Sequence, residues 1–124
     1  MKKILLICLL CFFASKAMAQ QPIQFNENGK AILSANLGPN SYKAYTVDGN
    51  TFSSIAFIFK KLNGIAYTIY QKNEVIFYGN TNGDIVKFNS DKSSIYTLVL
   101  HNYTQQIRGF IVESYTATDD LWEW

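Results

Sequence analysis

The sequence has 124 residues, of which 48% are hydrophobic and 16% charged, and its 11 basic and 9 acidic residues give a formal net charge of +2. So weak a charge excludes the strongly basic surface with which proteins bind nucleic acid or anionic membranes. A chain of this length is expected to fold as one domain and to bury roughly 65% of its surface.

The first predicted element is an export signal. Two lysines precede an apolar run over residues 4–14, and residues 17–19 (AMA) have the small-residue pattern of a cleavage site. The apolar run is about half as long as the ~20 residues that a membrane-spanning helix needs. We therefore predict a signal peptide over residues 1–19 and a single periplasmic or secreted domain over residues 20–124, with no stable membrane insertion.

Cleavage after Ala19 changes the cysteine content and the charge. It removes Cys8 and Cys11, the only two cysteines, so the mature protein is predicted to have no disulfide and to depend on hydrophobic packing. It also removes three of the 11 basic residues, so that 8 remain against 9 acidic ones. Three of these acids lie in the last six residues beside Trp122 and Trp124, and they make the C-terminal tail acidic.

Short runs of apolar, aromatic and β-branched residues follow the leader. Four Asn-Gly or Asp-Gly pairs, which begin at residues 28, 48, 63 and 82, favour the positive φ angles of tight turns. The runs between them alternate with the period of a β-strand, and no window has the pattern of an amphipathic helix. The predicted strands are residues 31–37, 42–47, 52–59, 65–70, 75–78, 85–88, 95–100 and 108–114.

Eight or nine short strands at this spacing predict an all-β fold, a small antiparallel β-sandwich of jelly-roll type. Along residues 65–70, Ile65, Tyr67 and Ile69 are predicted to point to one side of the strand and the residues between them to the other. One shared core is predicted to contain Leu33, Ile69, Phe77, Leu98 and Ile111.

The sequence offers little material for catalysis or metal binding. His101 is the only histidine and the mature chain has no cysteine, so a zinc cluster or a histidine-assisted thiol nucleophile cannot be assembled. Residues 80–84 carry alternate oxygen side chains, but their glycine and acid do not have the spacing of a calcium loop, and a hairpin turn is predicted there. We therefore expect a protein without enzymatic activity, metal or cofactor.

Three segments resemble parts of known families. They are residues 40–47 (NSYKAYTV), 67–70 (YTIY) and 93–99 (SSIYTLV), and their order is similar to that in bacterial pre-peptidase C-terminal domains and in periplasmic inhibitors of g-type lysozyme. In these families a serine or alanine, a glycine and a tyrosine lead into a late strand, and in the inhibitors this loop enters the active-site cleft of the enzyme. The matching residues are Ser93, Ser94 and Tyr96, with Ser94 where glycine is usual.

The sequence supports two classes of function. The first is a periplasmic protein inhibitor whose partner is a lysozyme or a related wall-degrading enzyme and whose loops enter the enzyme's cleft. The second is a non-enzymatic envelope module, which binds glycan on rings such as Tyr70 and Tyr103 or docks to another exported protein through the acidic tail that contains Trp122 and Trp124. An immunity protein lies between the two classes. The predicted binding residues are Tyr78, Asn80, Asn82, Ser93, Ser94, Tyr96, Trp122 and Trp124.

Overall fold

A computed structural model describes residues 20–117, in which it contains nine β-strands and no helix. All eight predicted strands are present, and a two-residue strand precedes them. Within residues 20–117 no helix has the length and apolar character to cross a membrane. The strands are β1 (Gln21–Pro22), β2 (Lys30–Leu37), β3 (Tyr42–Asp48), β4 (Ser54–Lys61), β5 (Ile65–Gln71), β6 (Glu74–Gly79), β7 (Ile85–Asn89), β8 (Ile95–Asn102) and β9 (Arg108–Ala117).

The strands form two facing sheets. Sheet A has the order β1-β3-β8-β5-β6 and sheet B the order β2-β9-β4-β7, and every pairing is antiparallel except that of β1 with β3. From β2 onward the chain changes sheet at each connection except the β5–β6 hairpin and so has the strand order of a jelly roll. The predicted fold class is confirmed.

The connections collect at the two ends of the sandwich. Residues 23–29, 49–53, 72–73 and 90–94 lie at one end, which we call the Ser93 end. Residues 38–41, 62–64, 80–84 and 103–107 lie at the other, which we call the Asn102 end. Strand β5 runs between them, with Ile65 opposite Asn102 and Gln71 opposite Tyr96, and its length separates the two ends by about 20 Å.

The core lies between the sheets and is built by alternate residues of each strand. Ile65, Tyr67 and Ile69 are buried while the residues between them are partly exposed, as the alternation predicted. Leu33 and Leu98 are buried as well, and Phe77 is partly buried with its ring stacked on that of Phe88, 5.6 Å between centroids. Four of the five predicted core residues therefore face the core.

The prediction that Ile111 faces the core is wrong. Its side chain is 40% exposed, whereas its neighbours Phe110 and Val112 are buried. Residues 110–112 are all apolar, so the alternation that reveals a strand's inward face is lost at this point. Successive residues of a strand point to opposite faces, so a prediction that is wrong by one residue assigns the wrong face. Ile111 lies on the outer face of sheet B, where it pairs with Ser34.

Candidate functional site

The predicted binding residues do not form one surface. Ser93 and Ser94 lie at the Ser93 end, whereas Asn80 and Asn82 lie about 20 Å away at the Asn102 end. Tyr78 is between them on edge strand β6, opposite Thr68, and it is 78% exposed. A single enzyme cleft that receives loops at one end therefore does not contact the loops at the other. Trp122 and Trp124 lie outside the described residues.

The Ser93 loop, residues 90–94, is supported from inside by two of the predicted residues. Ser94 is buried, its Oγ accepts a hydrogen bond from Gln71 Nε2 at 2.9 Å, and its carbonyl accepts one from the amide of Gly49 at 2.8 Å. Tyr96 is also buried, and its hydroxyl accepts a hydrogen bond from the Asp91 amide at 2.7 Å. Ser94 and Tyr96 thus set the shape of the loop, and the exposed residues are Asp91, Lys92 and Ser93.

Ser93 is held by the carboxylate two residues before it. Its amide and its hydroxyl both donate to Asp91 Oδ1, each at 2.9 Å. The amide of Ser93 is the main cause that lowers the pKa of Asp91, with the hydroxyl second, and the carboxylate is therefore ionised at neutral pH. The tip of the loop is a turn that is formed before any partner binds.

Gly49 is needed because the Ser93 loop packs against it. A Cβ atom at this position would lie 2.5 Å from the Asp91 carbonyl oxygen and 2.7 Å from that of Ser94, which is too close for any side chain. The Asp-Gly pair at residues 48–49 predicted a positive φ, but Gly49 does not have one, in contrast to Gly29, Gly64 and Gly83. The pair does mark a turn, and its glycine allows this turn to lie close to the Ser93 loop.

Two lysines lie beside Ser93, and no sequence pattern pointed to them. Lys72 Nζ donates to Ser93 Oγ at 3.3 Å, and Lys92 Nζ donates to Ser53 Oγ. Lys72 and Asn73 form the two-residue turn between β5 and β6, with φ angles of 51° and 69° as in a type I′ turn. Within residues 20–117, Lys72 is the one residue other than asparagine or glycine with a positive φ.

At the Asn102 end, Asn82 has a structural role. Its Oδ1 accepts hydrogen bonds from the amides of Leu62 at 2.7 Å and Asn63 at 3.2 Å. Residues 80–84 were predicted to be a hairpin turn, and this is wrong, because β6 pairs with β5 in sheet A and β7 with β4 in sheet B. The segment 80–84 instead crosses from one sheet to the other, and the hydrogen bonds of Asn82 to residues 62–63 stabilise this crossing.

Residues 20–117 contain no group of three or more His, Cys, Asp or Glu placed to hold a metal ion.

The same crossing is fixed from the core by Tyr67. Its hydroxyl donates to Asp84 Oδ2 at 3.1 Å, and its ring stacks on that of Phe59 with 3.7 Å between centroids. Burial, followed by the hydrogen bond and charge of Asp84, raises the pKa of Tyr67 to about 12. The phenol is therefore protonated throughout the physiological range and keeps donating to Asp84.

Asn102 joins three chain segments at this end and is fully buried. Its Nδ2 lies 2.9, 3.0 and 2.7 Å from the carbonyl oxygens of Leu37, Gly38 and Gln106. Its Oδ1 accepts from the amide of Thr104 at 2.9 Å and from the hydroxyl of the same residue at 2.7 Å. One side chain thus satisfies groups at the end of β2, on the β2–β3 connection and on the β8–β9 connection.

The outer face of sheet A carries a row of rings. Tyr42 stacks on His101, with 4.1 Å between centroids and 10° between planes, and Tyr70 and the exposed Tyr78 lie on the same face. Burial is the main cause that raises the pKa of Tyr70, and the nearby phenol of Tyr42 adds to it. Residues that pair across the described strands of sheet A form rows on this face. The three adjacent rows that begin at Tyr42, Ala44 and Thr46 contain no Asp, Glu, Lys or Arg.

His101 is expected to make stability depend on pH. Burial lowers the pKa of His101, so the unfolded chain takes up the proton more readily than the folded protein. Stability should therefore fall as the pH drops through the unfolded-state value of about 6.5, and level off below the folded-state value. Urea melts across this window should show the fall in the parent protein and not in a His101→Phe variant, which keeps a ring against Tyr42. An equal slope in both proteins would contradict the assignment.

Comparison with known proteins gives a fold and no family. A scan against protein-family models finds no match, and a search of curated protein sequences finds none either. Among solved structures, PliG of Aeromonas hydrophila, a periplasmic lysozyme inhibitor of g-type lysozyme, aligns with a TM-score of 0.60 at 11% identity, over 79% of this chain and 94% of that chain. PliG of Salmonella Typhimurium aligns with a TM-score of 0.55 at 12% identity, over 78% and 96%.

A third similar structure belongs to a protein of another kind. The Yersinia pseudotuberculosis-derived mitogen aligns with a TM-score of 0.58 at 9% identity, over 76% of this chain and 90% of that chain. The resemblance to the periplasmic lysozyme inhibitors, stated from the sequence, is confirmed as a likeness of fold. Because one fold serves several functions, the likeness of fold does not by itself assign a function to this chain.

Proposed function

We propose that the protein is an exported, non-catalytic inhibitor of a wall-degrading glycosidase, and that it inserts its Ser93 end into the cleft of that enzyme. The fold shared with the two PliG proteins, whose target is g-type lysozyme, supports this proposal. The signal peptide predicted over residues 1–19 is consistent with a periplasmic site of action. The observation that carries the proposal is the fixed placement of Lys72 beside Ser93 at the tip of the Ser93 end.

The chemistry of this tip complements a glycosidase cleft. Such clefts contain two carboxyl groups that flank the scissile bond. An ammonium group pairs with a carboxylate through a charge-assisted hydrogen bond. In our proposal Lys72 Nζ contacts one of these carboxylates, and Lys92 adds a second positive charge at the rim. Ser93 Oγ, whose one hydrogen is donated to Asp91, accepts from Lys72 Nζ and holds the ammonium group in place.

The rigidity of the loop favours tight binding. Association costs free energy when a loop must be ordered, and a preformed loop avoids that cost. The hydrogen bonds from Gln71 to Ser94, from Gly49 to the Ser94 carbonyl and from the Asp91 amide to Tyr96 already order the Ser93 loop. Ser94 and Tyr96 therefore belong to the proposed site as residues that position the loop, and Ser93 as the residue that positions Lys72.

The other predicted binding residues within the described part of the chain lie away from the Ser93 end. Asn80 and Asn82 lie at the opposite end and are outside the proposed contact with the cleft. Tyr78, midway along the edge of sheet A, is available to the rim of a large enzyme, where a rigid ring is suited to an interface.

A panel of lysozymes tests the proposal. The mature protein, residues 20–124, is added in increasing amounts to g-, c- and i-type lysozymes acting on bacterial cell walls. We expect inhibition of one type at nanomolar concentration, with full activity restored by dilution because no covalent bond forms. Full activity of all three types in a large excess of the protein would overturn the proposal for this class of enzyme.

The uncharged ring-bearing face of sheet A favours a second candidate, a neutral glycan. Aromatic rings present flat apolar surface, and the hydroxyls of Thr46, Thr68 and Thr97 on the same face can donate to sugar oxygens. Retention of the mature protein on peptidoglycan or glycan beads, lost in a Tyr78→Ala variant and kept in Ser93→Ala, would support this function. Absence of retention would exclude it.

A further inference from the structure

Strand β2 is an edge of sheet B that lacks the usual protection against pairing with another strand. Among the described strands the edges are β1, β2, β6 and β7. β1 has two residues and contains Pro22, β6 has a register shift against β5, and β7 is five residues long and carries Lys87. Short length, proline, bulges and lysine all hinder edge pairing. β2 is eight residues long, pairs with β9 without a shift, contains no proline, and has its one charged residue, Lys30, at its start.

Alternate residues of β2 direct their backbone N–H and C=O groups away from sheet B. The amide of Thr116 donates to the carbonyl of Gly29 at 2.8 Å, and in the same register the odd-numbered residues of β2 bond to β9. The backbone groups of the even-numbered residues therefore point outward. At Lys30 they are occupied by Asn26, whose Oδ1 accepts from the Lys30 amide at 3.0 Å and whose amide donates to the Lys30 carbonyl at 2.9 Å.

Three residues of this edge keep unused backbone groups. The N–H and C=O groups of Ile32, Ser34 and Asn36 have no hydrogen-bond partner within residues 20–117, and the side chains of all three residues are exposed. An extended strand that lies beside β2 would bond to these groups, which is the chemistry of β-strand addition.

A second copy of β2 fits this set of groups because the set is symmetric about Ser34. When Ser34 of one copy lies opposite Ser34 of the other in an antiparallel pair, Ile32 of each copy lies opposite Asn36 of the other. The three N–H and three C=O groups of each copy then form six hydrogen bonds. A pair centred on Leu33 would instead place Asn36 opposite Lys30, whose backbone groups are already bonded within the chain.

The side chains are compatible with the pairing centred on Ser34. On the inner face, Leu33 of one copy lies opposite Ala35 of the other, and both are apolar. Ala31 lies opposite Leu37 in the same way, so the two cores meet through apolar residues. Lys30 lies opposite the glycine that follows β2, so like charges do not face each other.

From the unprotected edge, its unused backbone groups and this self-matching register, we propose that β2 pairs with β2 of a second copy and joins two B sheets into one sheet of eight strands. A two-fold axis at Ser34 relates the two copies. Their Ser93 ends point in opposite directions, and the paired residues, 30–38, include none of the Ser93 loop. The inference therefore goes beyond the proposed inhibition and does not depend on it.

Analytical ultracentrifugation of the mature protein, residues 20–124, tests the pairing. An interface of one strand per copy is small, so we expect the average mass to rise from that of one chain toward that of two as the protein is concentrated. Ser34→Pro removes the central N–H, which does not bond to β9, and should leave one chain at every concentration. Ser34→Thr changes the same side chain, keeps the N–H and should associate like the parent. Circular dichroism checks that both variants keep the β fold.

Single cysteines test the register without relying on the proline variant. Residues 20–124 contain no cysteine of their own. In the proposed pair the two copies of Ser34 lie about 5.5 Å apart between Cα atoms, which a disulfide can span. The two copies of Ile32 are offset by four residues, about 13 Å along the strand. Under mild oxidation we expect Ser34→Cys to form disulfide-linked dimers severalfold faster than Ile32→Cys.

Three results would overturn the proposal. A mass of one chain at every concentration of the parent protein would leave the edge of β2 to a partner of another kind. A folded Ser34→Pro variant that associates like the parent would place the contact between copies on another surface. Equal rates of cross-linking for the two cysteine variants would show that β2 does not pair in this register.

Discussion

Replacing Asn102 with aspartate is expected to lower the free energy of unfolding by about 3 to 5 kcal/mol, because it buries a carboxylate without a cationic partner. Thr104 still donates to one of its oxygens, but the other oxygen faces only carbonyl oxygens. The wild-type amide donates to carbonyl oxygens of Leu37, Gly38 and Gln106, and a carboxylate of the same shape has no hydrogen to donate. Three carbonyl oxygens would then face a negative charge in a site that excludes water. Denaturant melts at neutral pH measure the loss.

The pH dependence of this variant provides a second check. Burial beside carbonyl oxygens raises the pKa of the introduced carboxyl above its unfolded value. A group with a raised folded-state pKa contributes its stability at low pH and loses it as the pH rises, so the variant should be least impaired in acid. Asn80→Asp, at an exposed position of the same end, is the matched control and should cost little. A loss below about 1 kcal/mol for Asn102→Asp would mean that the amide's contacts contribute no more than an ordinary hydrogen bond.

Replacing Lys72 with glycine is expected to separate inhibition from stability. The positive φ of Lys72 is strained for a side chain, by roughly 1 to 2 kcal/mol, and glycine adopts it freely, so the variant should be as stable as the parent or more stable. If Lys72 contacts a carboxylate of the enzyme, its removal should weaken inhibition by tenfold or more, about 1.4 kcal/mol. The inhibition constant is measured on whichever lysozyme the parent protein inhibits.

Two control variants separate the charge from the turn. Asn73→Gly changes the neighbouring residue of the same turn, which also has a positive φ, and keeps the ammonium group. Lys60→Gln removes a lysine from β4, at the Asn102 end. Both should inhibit like the parent. If Lys72→Gly also inhibits like the parent, the Ser93 end is not the surface that enters the cleft.

Some features of the site lay beyond the sequence because they depend on contacts between distant segments. Lys72 meets Ser93 across 21 residues of sequence, and Asn102 meets Leu37 across 65. A lysine in a two-residue turn and an asparagine at a strand end have no local sequence pattern that distinguishes them from solvent-exposed residues of the same type. Ser94 and Tyr96 were found from a family pattern, but their inward orientation follows from the pairing of β8 with β5.

The sequence by itself determined the strands and their arrangement as a sandwich, because these depend on local periodicity and turn residues. The inward and outward faces of β5 were predicted correctly, because buried and partly exposed residues alternate there. The inward face of β9 was predicted wrongly, because residues 110–112 are all apolar. Only the tertiary structure decided which loops share an end, because strand order sets the loop positions. It placed Asn80 and Ser93 about 20 Å apart along the sheet and brought Lys72 to Ser93, so that one end of the sandwich became the candidate site.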